Sequence, residues 1–270
     1  MTSASPVPER TGAMKVVTNS RELPSACAFV PTMGALHAGH GSLFAIAREY
    51  SESVVASIFI NPLQFETKED LEKYPRTPDR DIELAQAYGV THLWLPTYED
   101  IYPDGFSIIT AGPIAKLYEG ASRPGHFDGV VTVVRRLFDL VRPSVAIFGE
   151  KDFQQLALIR EIADEVRIVA APIIRESDGL AMSSRNVRLN EVERIAARVI
   201  SKALRESTSE AELRSKLAEE PAFTLDYADY IDEKTFLSPT KSTQFTRAIV
   251  AGWINGVRLL DNMAVKSEQK

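Results

Sequence analysis

Apolar runs alternate with helical patterns through residues 1–175. The runs at 26–30, 53–60 and 144–148 are apolar and often β-branched, which is typical of strands buried on both faces. We expect further strands at 91–95 and 167–174, with helices between the strands at 42–48, 78–88, 130–141 and 153–166. Strands that alternate with helices over short links predict a parallel sheet covered on both faces, with ligands at the carboxyl ends of its strands.

Two stretches of this part have a less regular pattern. Residues 130–141 carry apolar side chains at helical spacing, and their β-branched content leaves a strand as the alternative. Residues 96–129 contain several prolines and glycines and predict a long loop region. A long loop in a compact domain is usually functional.

The pattern changes after residue 175. A long helix is expected at 191–206, followed by a charged segment at 209–220 and by runs that alternate like antiparallel strands. Asn255-Gly256 between two β-prone runs predicts a hairpin. We therefore predict an α/β protein with a Rossmann-like, doubly wound parallel N-terminal domain at 1–175 and a smaller α+β domain at 176–270.

Composition and charge limit the classes of ligand. The 270 residues include 31 Lys and Arg against 37 Asp and Glu, which gives a formal net charge of −6 and a pI near 5.4. Such a chain has no basic field for a nucleic-acid backbone, so we exclude nucleic acid as a partner. A phosphate ligand must instead be met by a few local cations, helix N-termini and Mg²⁺, which indicates a small nucleotide.

Cysteine content and the chain's ends bear on the compartment. Cys27 is the only cysteine, so a disulfide framework or a cysteine-based zinc site within the chain is excluded, and a reducing cytosol fits. No run approaches the ~20 apolar residues of a membrane span. Residues 1–13 are small, polar and proline-bearing, without the apolar core of a signal peptide. We expect a cytoplasmic protein with a frayed N-terminus and no membrane partner.

The stretch PTMGALHAGH, residues 31–40, lies between a predicted strand and a predicted helix. Gly34 and Gly39 allow a tight turn close to a ligand, and the helix start offers free N–H groups to an anion. His37 and His40 are three residues apart, so in helical geometry both can donate hydrogen bonds to phosphate oxygens. A turn with two incidental histidines is the alternative, since short motifs have many false positives.

A second glycine loop, GEKD at 149–152, follows the strand at 144–148 in the same strand–loop–helix order. Its lysine can reach a phosphate, but an ordinary charged turn with an exposed lysine is the alternative. The later segment MSSR, residues 182–185, has a similar alternative. Serine and asparagine commonly cap the helix that follows them, so SSRN can be a helix cap alone.

Seven blocks occur in order along the chain: PTMGALHAGH, SIFINPLQF, YPRTP, RPGHFDGVVTVV, FGEKDFQQL, DGLAMSSRN and RLLDN. Together they resemble the pantoate–β-alanine ligase family of the HIGH-motif nucleotidyltransferase superfamily, over residues 30–264. The resemblance implies a ligase of pantothenate biosynthesis. Pantoate and MgATP would give pantoyl adenylate and pyrophosphate, and the amine of β-alanine would then displace AMP. The resemblance also implies a homodimer and a C-terminal domain that acts as a lid.

The resemblance implies a set of nucleotide contacts. Attack of a carboxylate on the α-phosphate builds negative charge on phosphate oxygens, so the reaction needs fixed donors and cations rather than a strong base. The residues implied as catalytic are His37, His40 (often labelled the proton donor), Lys151, Ser183, Ser184 and Arg185. The residues implied to bind ATP are Met33, Gly34, Ala35, Leu36, His37, Ala38, Gly39, His40, Gly149, Glu150, Lys151, Asp152, Ile174, Met182, Ser183, Ser184 and Arg185.

The resemblance implies an acid pocket beside the nucleotide. Gln64 and Gln155 would hold pantoate with neutral amides that pair its hydroxyls and carboxylate. Asn61, Arg123 and His126 would be further substrate contacts. The alternative for both glutamines is an ordinary surface position, and only the family pattern favours the pocket.

Two positions depart from the family pattern. Gly41 stands where an apolar residue usually follows the HxGH sequence, so we expect a looser first turn of that helix. Arg80 separates Asp79 from Asp81, where some relatives have consecutive acidic residues that help to hold Mg²⁺. The expected metal ligands are Asp79 and Asp81, and their separation by Arg80 changes the acidic site from the pattern of those relatives.

Two other functions stay open at this point. One is a different HIGH-superfamily nucleotidyltransferase, which would transfer a nucleotide to a phosphate rather than to a carboxylate. The other is a nucleotide-binding regulator that has lost turnover. Pantoate-dependent exchange between ATP and pyrophosphate distinguishes the first, and AMP release with all substrates present distinguishes the second.

Overall fold

The fold has two sheets that follow one another along the chain. A computed structural model of the protein describes residues 13–265. The segment expected to be frayed therefore lies, up to residue 12, outside the described residues. The strands are β1 Lys15–Val17, β2 Ala28–Thr32, β3 Val54–Ile58, β4 His92–Trp94, β5 Val145–Gly149, β6 Arg167–Ala171, β7 Phe223–Asp232, β8 Thr246–Ile254 and β9 Val257–Val265.

Helices connect most of these strands. Short 3₁₀ helices occur among others at Pro62–Gln64, Glu150–Asp152 and Ser184–Arg188, and all three lie beside the site described below. The α-helices are α1 Ala38–Tyr50, α2 Lys68–Glu72, α3 Pro78–Ala87, α4 Tyr98–Ile101, α5 Tyr118–Ser122, α6 His126–Val141, α7 Phe153–Ile162, α8 Glu191–Glu206 and α9 Glu210–Leu217.

The first sheet has six parallel strands in the order β1-β4-β3-β2-β5-β6. Chain order runs outward from the centre, through β2, β3 and β4 on one side and through β5 and β6 on the other. The strand order therefore reverses between β2 and β5, and ligands of such sheets bind in the crevice at this point. Both glycine loops predicted from the sequence leave the carboxyl ends of these two adjacent strands. The predicted Rossmann-like, doubly wound arrangement is confirmed.

The core lies on both faces of this sheet. Alternate residues of β2 face opposite sides: Phe29 belongs to the cluster that includes buried residues of α6 and α7, whereas Ala28 and Val30 pack with Phe44 and Ala47 of α1. All of these residues are fully buried. The near-continuous apolar pattern of the central strands follows from this two-sided cover.

The predicted loop at 96–129 is partly wrong. It contains α4 and α5, and α6 begins at His126 rather than at 130. Gly125, with φ of 79°, provides the left-handed turn that starts α6 four residues early. The first strand, β1, pairs in parallel with β4 and was not predicted, because three residues carry too little pattern.

The C-terminal part forms a smaller antiparallel sheet in the order β7-β8-β9, with a core that includes residues of α8 and α9. The predicted hairpin joins β8 to β9, and Asn255 and Gly256 both have positive φ, at 44° and 74°, as a type I′ turn requires. The charged segment at 209–220 is mostly α9. The division into domains 1–175 and 176–270 stays a prediction, and its boundary falls in the connection between the two sheets.

Candidate active site

A cavity of about 240 Å³ opens at the carboxyl ends of β2 and β5, between the parallel sheet and the start of the C-terminal part. The structure brings together most of the residues that the sequence singled out. Those that line the cavity are Met33, His37, Gly39, His40, Asn61, Gln64, Arg123, His126, Gly149, Lys151, Asp152, Gln155, Ile174, Met182, Ser183, Ser184 and Arg185.

His37 and His40 are held by the first turn of α1. The Gly39 N–H donates to Nδ1 of His37 at 3.1 Å, and the His37 N–H donates to Nδ1 of His40 at 3.3 Å. A neutral imidazole that accepts at Nδ1 carries its proton at Nε2. The backbone therefore selects the same tautomer for both rings, whose centroids are 4.2 Å apart.

The same environment keeps both rings neutral. Burial, followed by the charge of Lys151, lowers the pKa of His37 to about 4. Burial, followed by the neighbouring His37, lowers the pKa of His40 to about 3. At neutral pH the loop thus presents two uncharged Nε2–H donors, and the positive charge at this end of the cavity comes from Lys151.

The loop between β2 and α1 is anchored from outside the cavity. Gly34, Ala35, Leu36 and the exposed Ala38 do not line the cavity. The carboxylate of Asp81, which is 2% exposed, accepts the Ala35 N–H at 3.0 Å and the Leu36 N–H at 2.7 Å. The loop that carries the histidines therefore takes its shape from a helix 45 residues further along the chain.

The expected metal role of Asp79 and Asp81 does not fit this geometry. Thr77 Oγ1 also donates to Asp81 at 2.9 Å, so both carboxylate oxygens of Asp81 already accept hydrogen bonds from the protein. Asp79 is exposed in the first turn of α3, outside the cavity lining. Among residues 13–265, no group of three or more His, Cys, Asp or Glu side chains is placed to hold a metal ion.

The expected looser first turn of α1 is also corrected. The N–H groups of His40 and Gly41 both donate to the His37 carbonyl, at 2.8 and 3.1 Å. An ideal Cβ at Gly41 would lie 2.4 Å from the ring of Tyr88 at the end of α3. Glycine at this position lets that ring pack against α1, while the turn itself is closed by ordinary hydrogen bonds.

The second glycine loop contributes Lys151. Its ammonium lies 3.3 Å from Asp152, and the lysine side chain is 17% exposed. Glu150 does not line the cavity, and its carboxylate lies 4.0 Å from the guanidinium of Arg247 in the C-terminal part. Lys151 thus lines the cavity, while the neighbouring Glu150 contributes to the contact between the two sheets.

Gln64 lines the other side of the cavity with its amide oriented by Asn61. The Asn61 amide donates to Gln64 Oε1 and to the Gly129 carbonyl, both at 3.0 Å. The Tyr102 hydroxyl donates to Asn61 Oδ1 at 2.8 Å. Gln64 Nε2 in turn contacts the Met33 sulfur at 3.1 Å. Asn61 is 1% exposed and fully engaged, so it positions Gln64 rather than offering free donors of its own.

Arg123 and His126 support the same corner. His126 Nδ1 donates to the Gln64 carbonyl at 2.9 Å, and its Nε2 accepts from Arg123 at 3.2 Å. Burial, followed by the charge of Arg123, lowers the pKa of His126 to about 4, so this ring is neutral as well. Arg123 also pairs with Glu119 at 3.3 Å and Glu66 at 3.4 Å. His126 thus has both nitrogens occupied within the protein.

Two adjacent glutamines of α7 have opposite environments. Gln154 is 8% exposed, donates to the carbonyls of Ile114 and Leu117 at 2.8 Å, and accepts from the Glu119 N–H at 3.1 Å. Gln155 lines the cavity, and its amide has no hydrogen-bond partner among the described residues. Gln155 is therefore free to pair with a ligand.

Apolar side chains form a wall of the cavity that the sequence analysis missed. We call these residues the apolar wall: Phe59, Val130, Val133, Val134, Leu137 and Phe148. The four from α6 were predicted only as part of the apolar face of an amphipathic helix. The signal for a role in the site is that three of them, Val130, Val133 and Val134, belong to the RPGHFDGVVTVV block.

Residues from the connection to the C-terminal part close the cavity. Ser183 caps the 3₁₀ helix Ser184–Arg188 by accepting the Arg185 N–H at 3.2 Å, so the cap and the cavity lining are the same residue. Tyr74, from the YPRTP block, also lines the cavity, and burial raises the pKa of its phenol. The sequence analysis quoted that block but missed Tyr74. No helix within residues 13–265 is long and apolar enough to cross a membrane.

Comparison with known proteins identifies the family of the chain. The family model described as pantoate-beta-alanine ligase matches residues 7–264. Pantothenate synthetase of Acidothermus cellulolyticus is 43% identical, over 98% of this chain and 93% of that protein. Pantothenate synthetase of Mycolicibacterium vanbaalenii is 46% identical, over 95% of this chain and 87% of that protein.

Solved structures give the same result. The crystal structure of pantothenate synthetase from Thermus thermophilus superimposes with a TM-score of 0.88 at 42% identity, covering 93% of this chain and 99% of that one. The pantoate-beta-alanine ligase of Francisella tularensis, complexed with beta-gamma ATP and beta-alanine, has a TM-score of 0.81 at 34% identity, covering 93% and 98%. The chain therefore belongs to the pantoate–β-alanine ligase family.

Proposed function

We propose that this protein condenses pantoate with β-alanine at the expense of ATP, giving pantothenate, AMP and pyrophosphate through a pantoyl-adenylate intermediate. One observation carries the proposal. Two loops from the adjacent strands β2 and β5 place His37, His40 and Lys151 in one cavity with two glutamines and an apolar wall. A phosphate-binding region and a pocket for a small hydroxy acid thus share one space, as adenylate formation requires.

The first half-reaction joins pantoate to the α-phosphate. A carboxylate oxygen of pantoate attacks the α-phosphorus, the bond to the bridging oxygen breaks, and pyrophosphate leaves with the bonding electrons. Negative charge grows on the phosphate oxygens during this step. Two neutral Nε2–H donors and the Lys151 ammonium are preorganised to stabilise that charge, and such donors are most effective where water is excluded.

The two histidines act as hydrogen-bond donors in this proposal. Their lowered pKa values leave them uncharged at neutral pH in the protein without ligand, where each ring carries one proton, on Nε2. The proton-donor role that the resemblance implies for His40 therefore becomes donation of a hydrogen bond from Nε2.

Pantoate fits the opposite side of the cavity. It offers two hydroxyls and a carboxylate on a body with two geminal methyl groups. Gln155 and the Asn61-oriented Gln64 are neutral amides that can pair the polar groups, and the apolar wall can take the methyls. Arg123 and His126 are proposed to support this pocket from behind, since their polar atoms are engaged with protein partners.

The second half-reaction consumes the adenylate. The amine nitrogen of β-alanine attacks the acyl carbon, the bond from that carbon to the AMP oxygen breaks, and the new amide loses a proton from nitrogen. Ser183, Ser184 and Arg185 are proposed to close over the adenylate, since they line the cavity from the connection to the C-terminal part. That part would then act as the lid.

Mg²⁺ is proposed to enter as a component of the MgATP substrate. Asp81 is engaged with the loop from Ala35 to Leu36, and Asp79 is exposed, so neither fits as a dedicated ligand. Mg²⁺ usually relies on one or two carboxylates together with phosphate oxygens and water. Asp152 is the aspartate that lines the cavity among the described residues.

The homodimer implied by the resemblance and the cytoplasmic location expected from the sequence also remain proposals. Cys27 is buried and free, and burial raises the pKa of its thiol to about 11, which suits a protein that needs no disulfide. Light scattering of the purified protein tests the dimer. Fractionation of cells that express the chain tests the location.

A coupled assay tests the activity. AMP should form only when pantoate, β-alanine and ATP are all present, and pyrophosphate exchange into ATP should need pantoate but not β-alanine. Exchange that requires a phosphate acceptor instead of pantoate would indicate a different nucleotidyltransferase. Binding of ATP without AMP release under any combination of substrates would indicate a regulator and contradict the proposal.

A further inference from the structure

Asn262 of β9 holds the backbone of the loop that carries Lys151. The Asn262 Nδ2 group donates one hydrogen bond to the Glu150 carbonyl and one to the Lys151 carbonyl, both at 2.9 Å. Asn262 is 3% exposed, so these bonds are shielded from water. It belongs to the C-terminal sheet, 111 residues away from Lys151 in sequence.

The orientation of the Asn262 amide is set by Arg247. Arg247 donates to Asn262 Oδ1 at 2.6 Å, and a guanidinium can only donate. The two carbonyl oxygens can only accept, so reversing the amide would place an NH₂ group against a guanidinium and an oxygen against two carbonyls. The same guanidinium stacks on the ring of Phe153 at 4.0 Å, next to the end of the loop.

The loop lacks local means of holding this shape. Gly149 offers no side chain to cap the 3₁₀ helix Glu150–Asp152, and Asp152 makes no capping hydrogen bond to α7. Helix starts are normally stabilised by such caps. No side chain of the loop caps these helix starts, and the hydrogen bonds from Asn262 to the Glu150 and Lys151 carbonyls hold the loop backbone from the C-terminal sheet.

Asp261, the neighbouring residue of β9, binds the other side of the cavity entrance. Its carboxylate forms two hydrogen bonds with Arg175, at 2.6 and 3.0 Å. Arg175 follows Ile174, which lines the cavity and accepts the Met182 N–H at 2.9 Å. Consecutive residues of one strand thus contact both segments that flank the proposed phosphate site.

We propose that Asn262 is a positioning residue for adenylate formation, acting through Lys151. The inference rests on the proposed function and deepens it. By fixing the backbone at 150–151, Asn262 sets where the Lys151 ammonium stands, and it does so only while the C-terminal sheet is docked as observed. A displacement of about 1 Å in a positioned group can lower a rate by about 10²-fold, so a residue that touches no substrate can matter for the chemical step.

A double-mutant cycle tests this inference. Asn262→Leu keeps the side-chain size and removes both donors, and we expect pantoate-dependent pyrophosphate exchange to fall by about 10- to 100-fold in kcat. The KM for pantoate should stay within about threefold, because no pantoate contact is changed. In a Lys151→Ala background the same substitution should lower exchange by no more than about threefold further, since residues that act as a unit are not additive.

Gln154→Leu is the matched control. Gln154 is also a buried amide that donates to two backbone carbonyls, at 2.8 Å each, but among the described residues its side chain makes no hydrogen bond to Lys151 or Glu150. It should lower the melting temperature comparably and leave kcat within a few-fold of wild type. If Asn262→Leu does not fold, Asn262→Asp keeps the size and the acceptor for Arg247 while removing both donors, and the same cycle applies.

The outcomes separate the two proposals. Full additivity with Lys151→Ala, or an equal loss of kcat in Gln154→Leu, would overturn the positioning role while an active wild type upholds the function. A wild-type protein without pantoate-dependent exchange would overturn the proposed function, and the positioning role with it.

Discussion

Asp81 and Leu36 are joined by a buried hydrogen bond of 2.7 Å from the Leu36 N–H to the Asp81 carboxylate. This bond and the one from the Ala35 N–H anchor the loop that carries both histidines to the first turn of α3. Asp81, which the family resemblance associates with metal binding, therefore has a structural role that requires its two carboxylate oxygens as acceptors. Its carboxylate accepts hydrogen bonds from two backbone N–H groups and from Thr77.

Substitution at Asp81 and at Asp79 should therefore have opposite consequences. Asp81→Asn should destabilise the protein by roughly 1–3 kcal/mol and weaken ATP binding, because an amide can place an NH₂ group against the buried N–H donors. Asp79→Asn should leave the free energy of unfolding and ATP affinity nearly unchanged, because Asp79 is exposed. Denaturant unfolding and calorimetric titration with an ATP analogue measure both. Complete loss of activity in Asp79→Asn would show an essential acidic metal site.

Lys151→Ala should lower pyrophosphate exchange by about 10²–10³-fold, as removal of one donor to transition-state charge typically does. The loss of stability should be small, because the Asp152 side chain that pairs with Lys151 is 46% exposed and water can solvate its carboxylate. Lys216→Ala, on α9 and paired with Glu206 and Glu212 at 3.6 Å, is the control and should keep wild-type exchange. Exchange within a few-fold of wild type in Lys151→Ala would remove that lysine from the phosphate site.

The adjacent glutamines of α7 give a paired prediction. Gln155→Leu should raise the KM for pantoate by about 5- to 150-fold per lost partner, equivalent to roughly 1–3 kcal/mol, with little effect on ATP binding. Gln154→Leu should instead lower the melting temperature and leave the KM for pantoate unchanged, since its three hydrogen bonds are internal. The comparison uses pantoate kinetics and the dissociation constant of an ATP analogue. Equal weakening of both ligands by Gln155→Leu would place it outside the pantoate pocket.

The buried histidines predict how stability depends on pH. The pKa of His126 is about 4 in the folded protein, against 6.5 for an ordinary histidine. Between these values the unfolded chain binds a proton that the folded protein does not. The free energy of unfolding should therefore fall as the pH falls through this window, by at most about 1.4 kcal/mol per pH unit for this histidine.

His126→Asn isolates this term, because the amide can still donate to the Gln64 carbonyl but does not titrate. The stability difference between wild type and variant should change in the variant's favour by about 1.4 kcal/mol per unit below about pH 6. His92→Asn, at a half-buried position in β4, should change the slope less. An unchanged slope in His126→Asn, measured by urea unfolding from pH 7 to pH 5, would mean that His126 is protonated in the folded protein.

The spacing of apolar residues was enough to predict most of the local structure of this protein. The apolar runs of β2, β3 and β5 need cover on both faces, and alternating helices provide it, so the parallel sheet and the position of both glycine loops followed from pattern alone. The hairpin at Asn255-Gly256 followed from turn chemistry for the same reason. The apolar spacing within each run and the residues of each turn are local features of the chain, which a pattern can express.

Short elements, and the hydrogen-bond partners of individual side chains, depend on tertiary contacts that the sequence pattern does not show. β1 forms by pairing with β4, the neighbouring strand of the sheet. α6 begins early because Gly125 adopts a left-handed conformation. A sequence pattern of three to five residues is too short to predict such tertiary contacts. The sequence likewise placed His37, His40 and Lys151 in glycine loops, but it could not fix the tautomers or the neutral state of the two rings, which depend on burial and on particular backbone donors.

By itself, then, the sequence determined where most strands, both glycine loops and the side chains of the proposed phosphate site lie along the chain, because periodicity, glycine and chain order act locally. Only the tertiary structure decided that Asp81 anchors a loop, that Gln155 and not Gln154 faces the cavity, and that Asn262 holds the Lys151 backbone. Asp81, Gln154 and Asn262 each bind backbone groups many residues away in sequence. The physical reason is that burying a polar group without a hydrogen-bond partner is costly, and the fold determines which partners are within reach.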